Sequence, residues 1–97
     1  MGYEIKILPE ALNDINNAFE YYEKISFKVL NSFKNELEEN YNKLEINPFY
    51  QIKFKYLRVI PFKNFPYIIF FEVDEVTKIV YVYSVFHTFQ NPNKYPK

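Results

Sequence analysis

The sequence contains no cysteine, one glycine, one histidine and one arginine among its 97 residues. Without cysteine there is neither a disulfide nor a thiolate metal site, and a single histidine argues against a histidine-based zinc site. We therefore expect no metal and no cofactor.

No apolar run approaches the roughly 20 residues that span a bilayer, and the strand-like N-terminus leaves no room for a signal peptide. We expect a cytoplasmic protein with no membrane contact.

Aromatic side chains are the abundant component, with eleven phenylalanines and ten tyrosines, and hydrophobic residues make up 48% of the chain. This composition is too apolar for a disordered chain. A chain of this length buries only about two-thirds of its unfolded surface, so its stability must come from a dense core. The sequence has no repeat and no boundary, and it predicts one domain over residues 1–97.

The formal charge is zero, but its distribution is uneven. Residues 9–46 carry eight acidic and four basic side chains, a net charge of −4, whereas residues 47–97 carry three acidic and seven basic ones, a net charge of +4. The zero total argues mildly against a strong nucleic-acid binder. An anionic partner would meet the second half. Ordinary solvated surface charge explains the same pattern.

The first half predicts a strand followed by two helices. Residues 3–7 alternate apolar and polar side chains, as in a strand with one buried face. Pro9 suits the first position of a helix, Ser26 suits the N-cap of a second, and Asn47-Pro48 ends it. The apolar stripes are Ala11, Ile15, Ala18, Phe19 and Tyr22 in the first helix, and Leu30, Phe33, Leu37, Tyr41 and Leu44 in the second.

The second half predicts strands. Residues 50–56 alternate, with an apolar face and a basic face, and residues 57–62 continue extended. Residues 67–73 and 79–86 are almost wholly apolar, as in strands covered on both faces. The order predicts an α+β fold. A strand and a helical hairpin precede a three- to four-stranded antiparallel curved sheet, with both helices on one face.

Several short motifs occur in this order: Pro9-Glu10-Ala11, Tyr21-Tyr22, Leu44 to Pro48, Arg58, Phe65-Pro66-Tyr67, His87 and Asn91-Pro92. Their order and spacing over nearly the whole chain resemble the RelE/ParE superfamily of type II toxins, also called plasmid stabilisation proteins. One stretch departs from the family. Many members carry arginine between the tail histidine and the proline, where this chain has Thr88-Phe89-Gln90-Asn91.

The resemblance implies a toxin that inhibits growth and is neutralised by a cognate antitoxin protein. RelE-like members cut mRNA on the ribosome, whereas toxins of the ParE kind inhibit DNA gyrase without cleaving anything. The zero net charge, the single arginine and the changed tail favour the gyrase alternative. A decayed, non-catalytic toxin-like protein that only binds its antitoxin is the third alternative.

For a ribonuclease, the resemblance implies catalytic roles for Arg58, His87 and Tyr95. A guanidinium clamps phosphate bidentately, and an imidazole moves a proton near neutral pH. A tyrosine stacks on a base or donates a proton. Each has a structural alternative: Arg58 in an ion pair with Glu72, His87 as a hydrogen-bonded packing residue, and Tyr95 in the core or at its rim.

A second group of residues would contact RNA or another target: Lys53, Lys55, Lys63, Tyr83 and Lys94. Lysines neutralise a phosphate backbone or meet an acidic surface, although lysines on an exposed strand also protect a sheet edge from aggregation. The acidic helix residues are expected to be solvated: Glu10, Asp14, Glu36, Glu38 and Glu39.

Overall fold

The computed structural model describes residues 2–89 and Tyr95. Along this part of the chain the elements are β1 (Glu4–Ile7), α1 (Pro9–Ile25), α2 (Phe27–Ile46), β2 (Ile52–Phe54), β3 (Leu57–Pro61), β4 (Tyr67–Asp74) and β5 (Ile79–His87). The strands form one sheet in the order β1-β5-β4-β3-β2. The predicted α+β class, with both helices on one face, is confirmed.

The sheet differs in one detail from the predicted antiparallel one. Strands β2 to β5 are antiparallel to their neighbours, but β1 joins the edge beside β5 and runs parallel to it. The sheet is therefore mixed and has five strands in the described part of the chain. The helical hairpin makes this pairing possible, because a parallel neighbour needs a long crossover between the two strands.

The helix boundaries lie where the sequence predicted them. Pro9 is at the first turn of α1, where its missing N–H costs no hydrogen bond. The Ser26 hydroxyl accepts a hydrogen bond from the Val29 N–H at 3.0 Å and caps α2. The helix ends at Ile46, and the N–H of the C-cap residue Asn47 donates to the Lys43 carbonyl oxygen, because Pro48 disfavours further helical backbone.

Apolar side chains cover both faces of the sheet. The larger core lies between the sheet and the helices and includes the buried positions of both helices together with Ile60, Phe62, Tyr67, Ile69, Phe71, Val80, Val82 and Val85. The opposite face carries a smaller cluster, which we call the second core. Its members are Leu57, Phe70 and Phe86, with Phe54, Val59, Ile68, Tyr83 and Tyr95 packed around them.

A hairpin turn at Lys55-Tyr56 interrupts the strand that the sequence predicted over residues 50–56. Phe54 pairs with Leu57, so the chain reverses within two residues, and Lys55 has a φ of 55°. Two-residue hairpin turns usually signal themselves by glycine or asparagine, which are missing here. The prediction that Lys53 and Lys55 share one strand face is therefore wrong.

A bulge at Tyr83 changes the register between β4 and β5. Phe70 pairs with Ser84 and Phe71 pairs with Val82, which leaves Tyr83 without a partner on β4. An extra residue in one strand bends it and re-aims the following side chains. Beyond the bulge, Phe86 packs in the second core, whereas Val85 lies in the core under the helices.

Glu36 is buried, with 7% of its surface exposed, and not solvated as predicted. Its carboxylate leaves α2 and accepts hydrogen bonds from the N–H groups of Lys63 and Asn64, the latter at 3.3 Å. These two residues form the turn between β3 and β4. Glu36 therefore ties the second helix to the sheet by satisfying backbone donors that have no strand partner.

Glu36→Ala is expected to lower the free energy of unfolding by about 2–3 kcal/mol, because it leaves two partly buried N–H groups without their charged acceptor. Urea denaturation of the purified protein measures the change. Glu38→Ala, on an exposed turn of the same helix, is the matched control and should change stability by no more than about 0.5 kcal/mol. Equal effects of the two substitutions would contradict the role given to Glu36.

Candidate functional site

A groove lies between α1 and the ends of β4 and β5, and we call it the α1–β5 groove. It has a volume of about 340 Å³ and is lined by Asp14, Asn17, Ala18 and Tyr21 from the helix and by Tyr67, Val85 and His87 from the strands. One predicted site residue, His87, lies in it.

Asp14 lies at the base of this groove, beside a part of β5 that has no neighbouring strand on that side. This part exists because β5 is longer than β1. The pairing of β1 with β5 ends at Val82, and β5 continues to His87. The Asp14 carboxylate takes the place of the missing strand: its Oδ2 accepts from the Val85 N–H at 3.1 Å and from the Ser84 hydroxyl at 2.9 Å. The prediction that Asp14 is solvated is therefore wrong.

Burial raises the pKa of Asp14 above its ordinary value, and the hydrogen bonds from Ser84 and Val85 oppose that rise without cancelling it. A carboxyl group with a raised pKa in the folded state binds more protons folded than unfolded. Its contribution to stability is therefore present at low pH and is lost as the pH rises through the folded pKa.

Asp14→Asn is expected to gain stability relative to the native protein as the pH rises from about 4 towards neutrality. The amide oxygen keeps an acceptor for Val85 and Ser84 but carries no charge to desolvate. Urea denaturation at several pH values measures the difference. Glu20→Gln, at an exposed position of the same helix, should show a flat difference. A flat Asp14→Asn difference would contradict the assigned cause.

His87 is held by contacts on several sides. Its ring lies 5.0 Å from the ring of Tyr67 and 5.1 Å from that of Phe89, measured between centroids. Its Nδ1 accepts a hydrogen bond from the Phe89 N–H at 3.2 Å. In the neutral imidazole the proton therefore sits on Nε2, which is then a donor and not an acceptor. This is the packing arrangement named above as the alternative to catalysis.

Arg58 lies on the face of the sheet that the helices cover, at the end of β3 that is farther from the α1–β5 groove. It pairs with Phe71 of the larger core. Its Nη1 donates to the Tyr50 carbonyl oxygen at 2.7 Å, and the guanidinium carbon lies 5.3 Å from the centre of the Phe49 ring. The guanidinium thus fastens the loop after α2 to β3. The alternative ion pair with Glu72 is wrong, because Glu72 follows Phe71 on β4 and lies on the opposite face of the sheet, where it accepts from the Tyr83 hydroxyl at 2.8 Å.

Tyr95 packs on the other face of the sheet, in the second core. Its ring centroid lies 4.9 Å from those of Phe70 and Phe86 and 5.6 Å from that of Phe54. The sheet separates it from Arg58 and His87, which lie on the helix face. The ring thus seals the second core near the end of the chain.

The three residues predicted to be catalytic therefore do not form one cluster. Arg58 pairs with Phe71 and His87 pairs with Tyr67. Four residues along β4 and two strand spacings separate their Cα atoms, roughly 16 Å. Tyr95 adds a third location on the opposite face.

The residues predicted to bind RNA or another target are also spread over the sheet. Lys53 is exposed on the edge strand β2, Lys55 is exposed in the following turn, and Lys63 is exposed in the turn at the far end of β3. Tyr83 is half-buried, and its hydrogen bond to Glu72, followed by burial, raises the pKa of its hydroxyl. Lys94 lies outside the described residues.

Comparison with known proteins decides the family. The family model described as "ParE toxin of type II toxin-antitoxin system, parDE" matches residues 5–92, which is most of the chain. The chain belongs to the ParE toxin family. The resemblance inferred from the sequence motifs is thereby confirmed. No curated protein and no solved structure shows a significant match to the chain.

Membership of the ParE family makes this protein a toxin of a type II toxin–antitoxin module and implies an antitoxin as its partner. Within the described residues there is no group of three histidine, cysteine, aspartate or glutamate side chains placed to hold a metal ion. Neither of the two described helices has the length and hydropathy needed to cross a membrane.

In this ParE-family toxin, Tyr95→Phe keeps the contacts that the ring of residue 95 makes and removes only the hydroxyl group. We expect it to preserve both the stability and the growth inhibition of the native protein. Tyr95→Ala should lower the free energy of unfolding by about 2 kcal/mol, since it opens a cavity beside Phe70 and Phe86. Urea denaturation and a growth assay measure these effects. Loss of growth inhibition in Tyr95→Phe at unchanged stability would assign chemistry to the hydroxyl group.

Proposed function

We propose that this ParE-family toxin inhibits growth by binding DNA gyrase, without cleaving mRNA. The observation that carries the proposal is the separation of Arg58, His87 and Tyr95, which lie at two ends and on two faces of the sheet. A binding surface does not require its residues to converge on one reacting atom, whereas a nuclease site does.

Phosphodiester cleavage by a ribose 2′-hydroxyl needs a proton acceptor and cationic groups within hydrogen-bond reach of the same phosphate. With their Cα atoms roughly 16 Å apart, and with their side chains held by contacts to Tyr50 and Phe89, Arg58 and His87 do not converge on one phosphate. The Arg58 guanidinium already donates to the Tyr50 carbonyl oxygen, so one of its donors serves the fold.

The state of His87 supports the same conclusion. Its Nδ1 accepts from the Phe89 N–H, so the neutral ring presents a donor at Nε2. A general base requires a free ring nitrogen that accepts a proton from the attacking hydroxyl group.

The charge of the chain also favours a protein target. Binding to a nucleic-acid backbone depends on several lysines and arginines that displace counterions. This chain has no net charge, and Lys53 and Lys63 lie at separate places on the sheet. We propose in addition that the antitoxin neutralises the toxin through contacts with the basic second half, for which acidic antitoxin residues are the complement.

Expression of the toxin from a tightly repressed promoter tests the proposal in cells. Two readouts taken from the same culture are the superhelical density of a reporter plasmid and the 5′ ends of translated mRNA. We expect the plasmid to lose negative supercoils before growth stops, while the pattern of mRNA ends stays that of uninduced cells. Co-expression of the antitoxin, found as the neighbouring small open reading frame, should abolish the supercoiling change.

New mRNA ends at codon boundaries, with supercoiling unchanged, would overturn the gyrase proposal in favour of ribosome-dependent cleavage. Growth unaffected by expression of a soluble, folded toxin, with antitoxin binding retained, would overturn it in favour of a decayed toxin that only binds its antitoxin. Circular dichroism of the purified protein shows that the expressed chain is folded in each case.

A further inference from the structure

The α1–β5 groove has the chemistry of a site for a positively charged side chain. We propose that it receives an arginine or lysine presented by a protein partner, with the Asp14 carboxylate as the counter-charge and the rings of Tyr21, Tyr67 and His87 as its walls. The proposal does not rest on gyrase as the target, because it concerns only which side chain the groove accepts.

The negative charge comes from Asp14 at the base of the groove. Both hydrogen bonds that fix this carboxylate end on Oδ2. Within residues 2–89 and Tyr95, Oδ1 accepts no hydrogen bond, and the residue lines the groove. A carboxylate that is fixed on one oxygen and open on the other is preorganised for a charge-assisted hydrogen bond to an incoming cation.

Aromatic rings form the walls. Tyr67 is nearly buried, with 8% of its surface exposed, and its ring contacts that of His87 at 5.0 Å. Tyr21 stands at the mouth of the groove with 60% exposed. A guanidinium or ammonium group near the face of an exposed tyrosine ring such as that of Tyr21 gains a cation–π attraction in addition to the ion pair. None of the described lining residues is a lysine or an arginine that would occupy the space itself.

The surrounding helix favours the same sign of ligand. From residue 9 to residue 25, α1 carries four acidic side chains and one basic one, a net charge of −3. Of the two described helices, α1 carries the more negative net charge, and the second half of the chain is basic. A cationic group would therefore be attracted towards the groove before it makes contact.

Apolar side chains near the groove indicate that the cation belongs to a protein. Phe89, whose ring contacts His87, is 84% exposed. Ile25 and Phe27, on either side of the joint that follows Tyr21, are 55% and 73% exposed. Exposed aromatic and aliphatic residues around a charged pocket are typical of protein interfaces, where arginine is enriched. We infer a partner segment in which an apolar residue neighbours the arginine or lysine.

Titration with a minimal ligand tests this inference. The ¹⁵N-labelled toxin, made by cell-free synthesis to avoid its toxicity, is titrated with N-acetyl-arginine amide and separately with N-acetyl-citrulline amide. Citrulline has nearly the same shape as arginine but no charge. We expect saturable shifts of the backbone amides of Val85 and His87 with the arginine compound, and binding weaker by about five- to tenfold with the citrulline compound.

Asp14→Asn should weaken binding of the arginine compound by a similar factor. Glu20→Gln, which removes one charge from the same helix outside the groove, should leave that binding unchanged. Tyr21→Ala, at the exposed mouth of the groove, should weaken binding of the arginine compound several-fold and is a second, independent variant. Equal binding of the two compounds, unchanged binding by Asp14→Asn or by Tyr21→Ala, or shifts outside the groove would each overturn the proposal. These outcomes are independent of whether gyrase is the target, because the titration contains the toxin alone.

Discussion

The pairing of β4 with β5 is the constraint on which the rest of the structure depends. These two strands are registered over eight residue pairs and are apolar on both sides, so each face of the sheet must be covered. The helical hairpin covers one face and is fixed there by Glu36 as well as by apolar contacts. On the other face the second core gathers around Phe70 and Phe86, and Tyr95 closes it. Strand alternation lets β5 contribute to both cores, with Val85 in one and Phe86 in the other.

The same strand geometry produces the candidate site. Because β1 stops beside Val82 while β5 continues, a length of β5 backbone has no strand on one side. The Asp14 carboxylate fills part of that gap, and the remaining space is the α1–β5 groove. A charged group is thus placed beside aromatic rings for a reason that begins in backbone pairing. The dispersed positions of Arg58, His87 and Tyr95 are the separate observation behind our proposal that this toxin acts by binding.

Much of the fold could be predicted from local sequence signals. Pro9, Ser26 and Asn47-Pro48 set helix boundaries through their own backbone chemistry, and the apolar runs identified β4 and β5. The hairpin at Lys55 was missed because lysine gives no turn signal. The structural roles of Asp14 and Glu36 were missed because their carboxylates accept hydrogen bonds from backbone N–H groups far away in the sequence. Composition and helical spacing do not reveal such contacts. The positions of Arg58 and Tyr95 on opposite faces depend on that same unpredicted turn and on how the end of the chain packs.

A supercoiling assay with purified components shows whether the toxin acts on gyrase or on mRNA. Relaxed plasmid, ATP and gyrase are incubated with increasing amounts of purified toxin, and a parallel reaction contains translating ribosomes with a defined mRNA. We expect the toxin to inhibit supercoiling in proportion to its concentration and to leave the mRNA intact. Full supercoiling at saturating toxin, together with cleavage of the ribosome-bound mRNA, would contradict it.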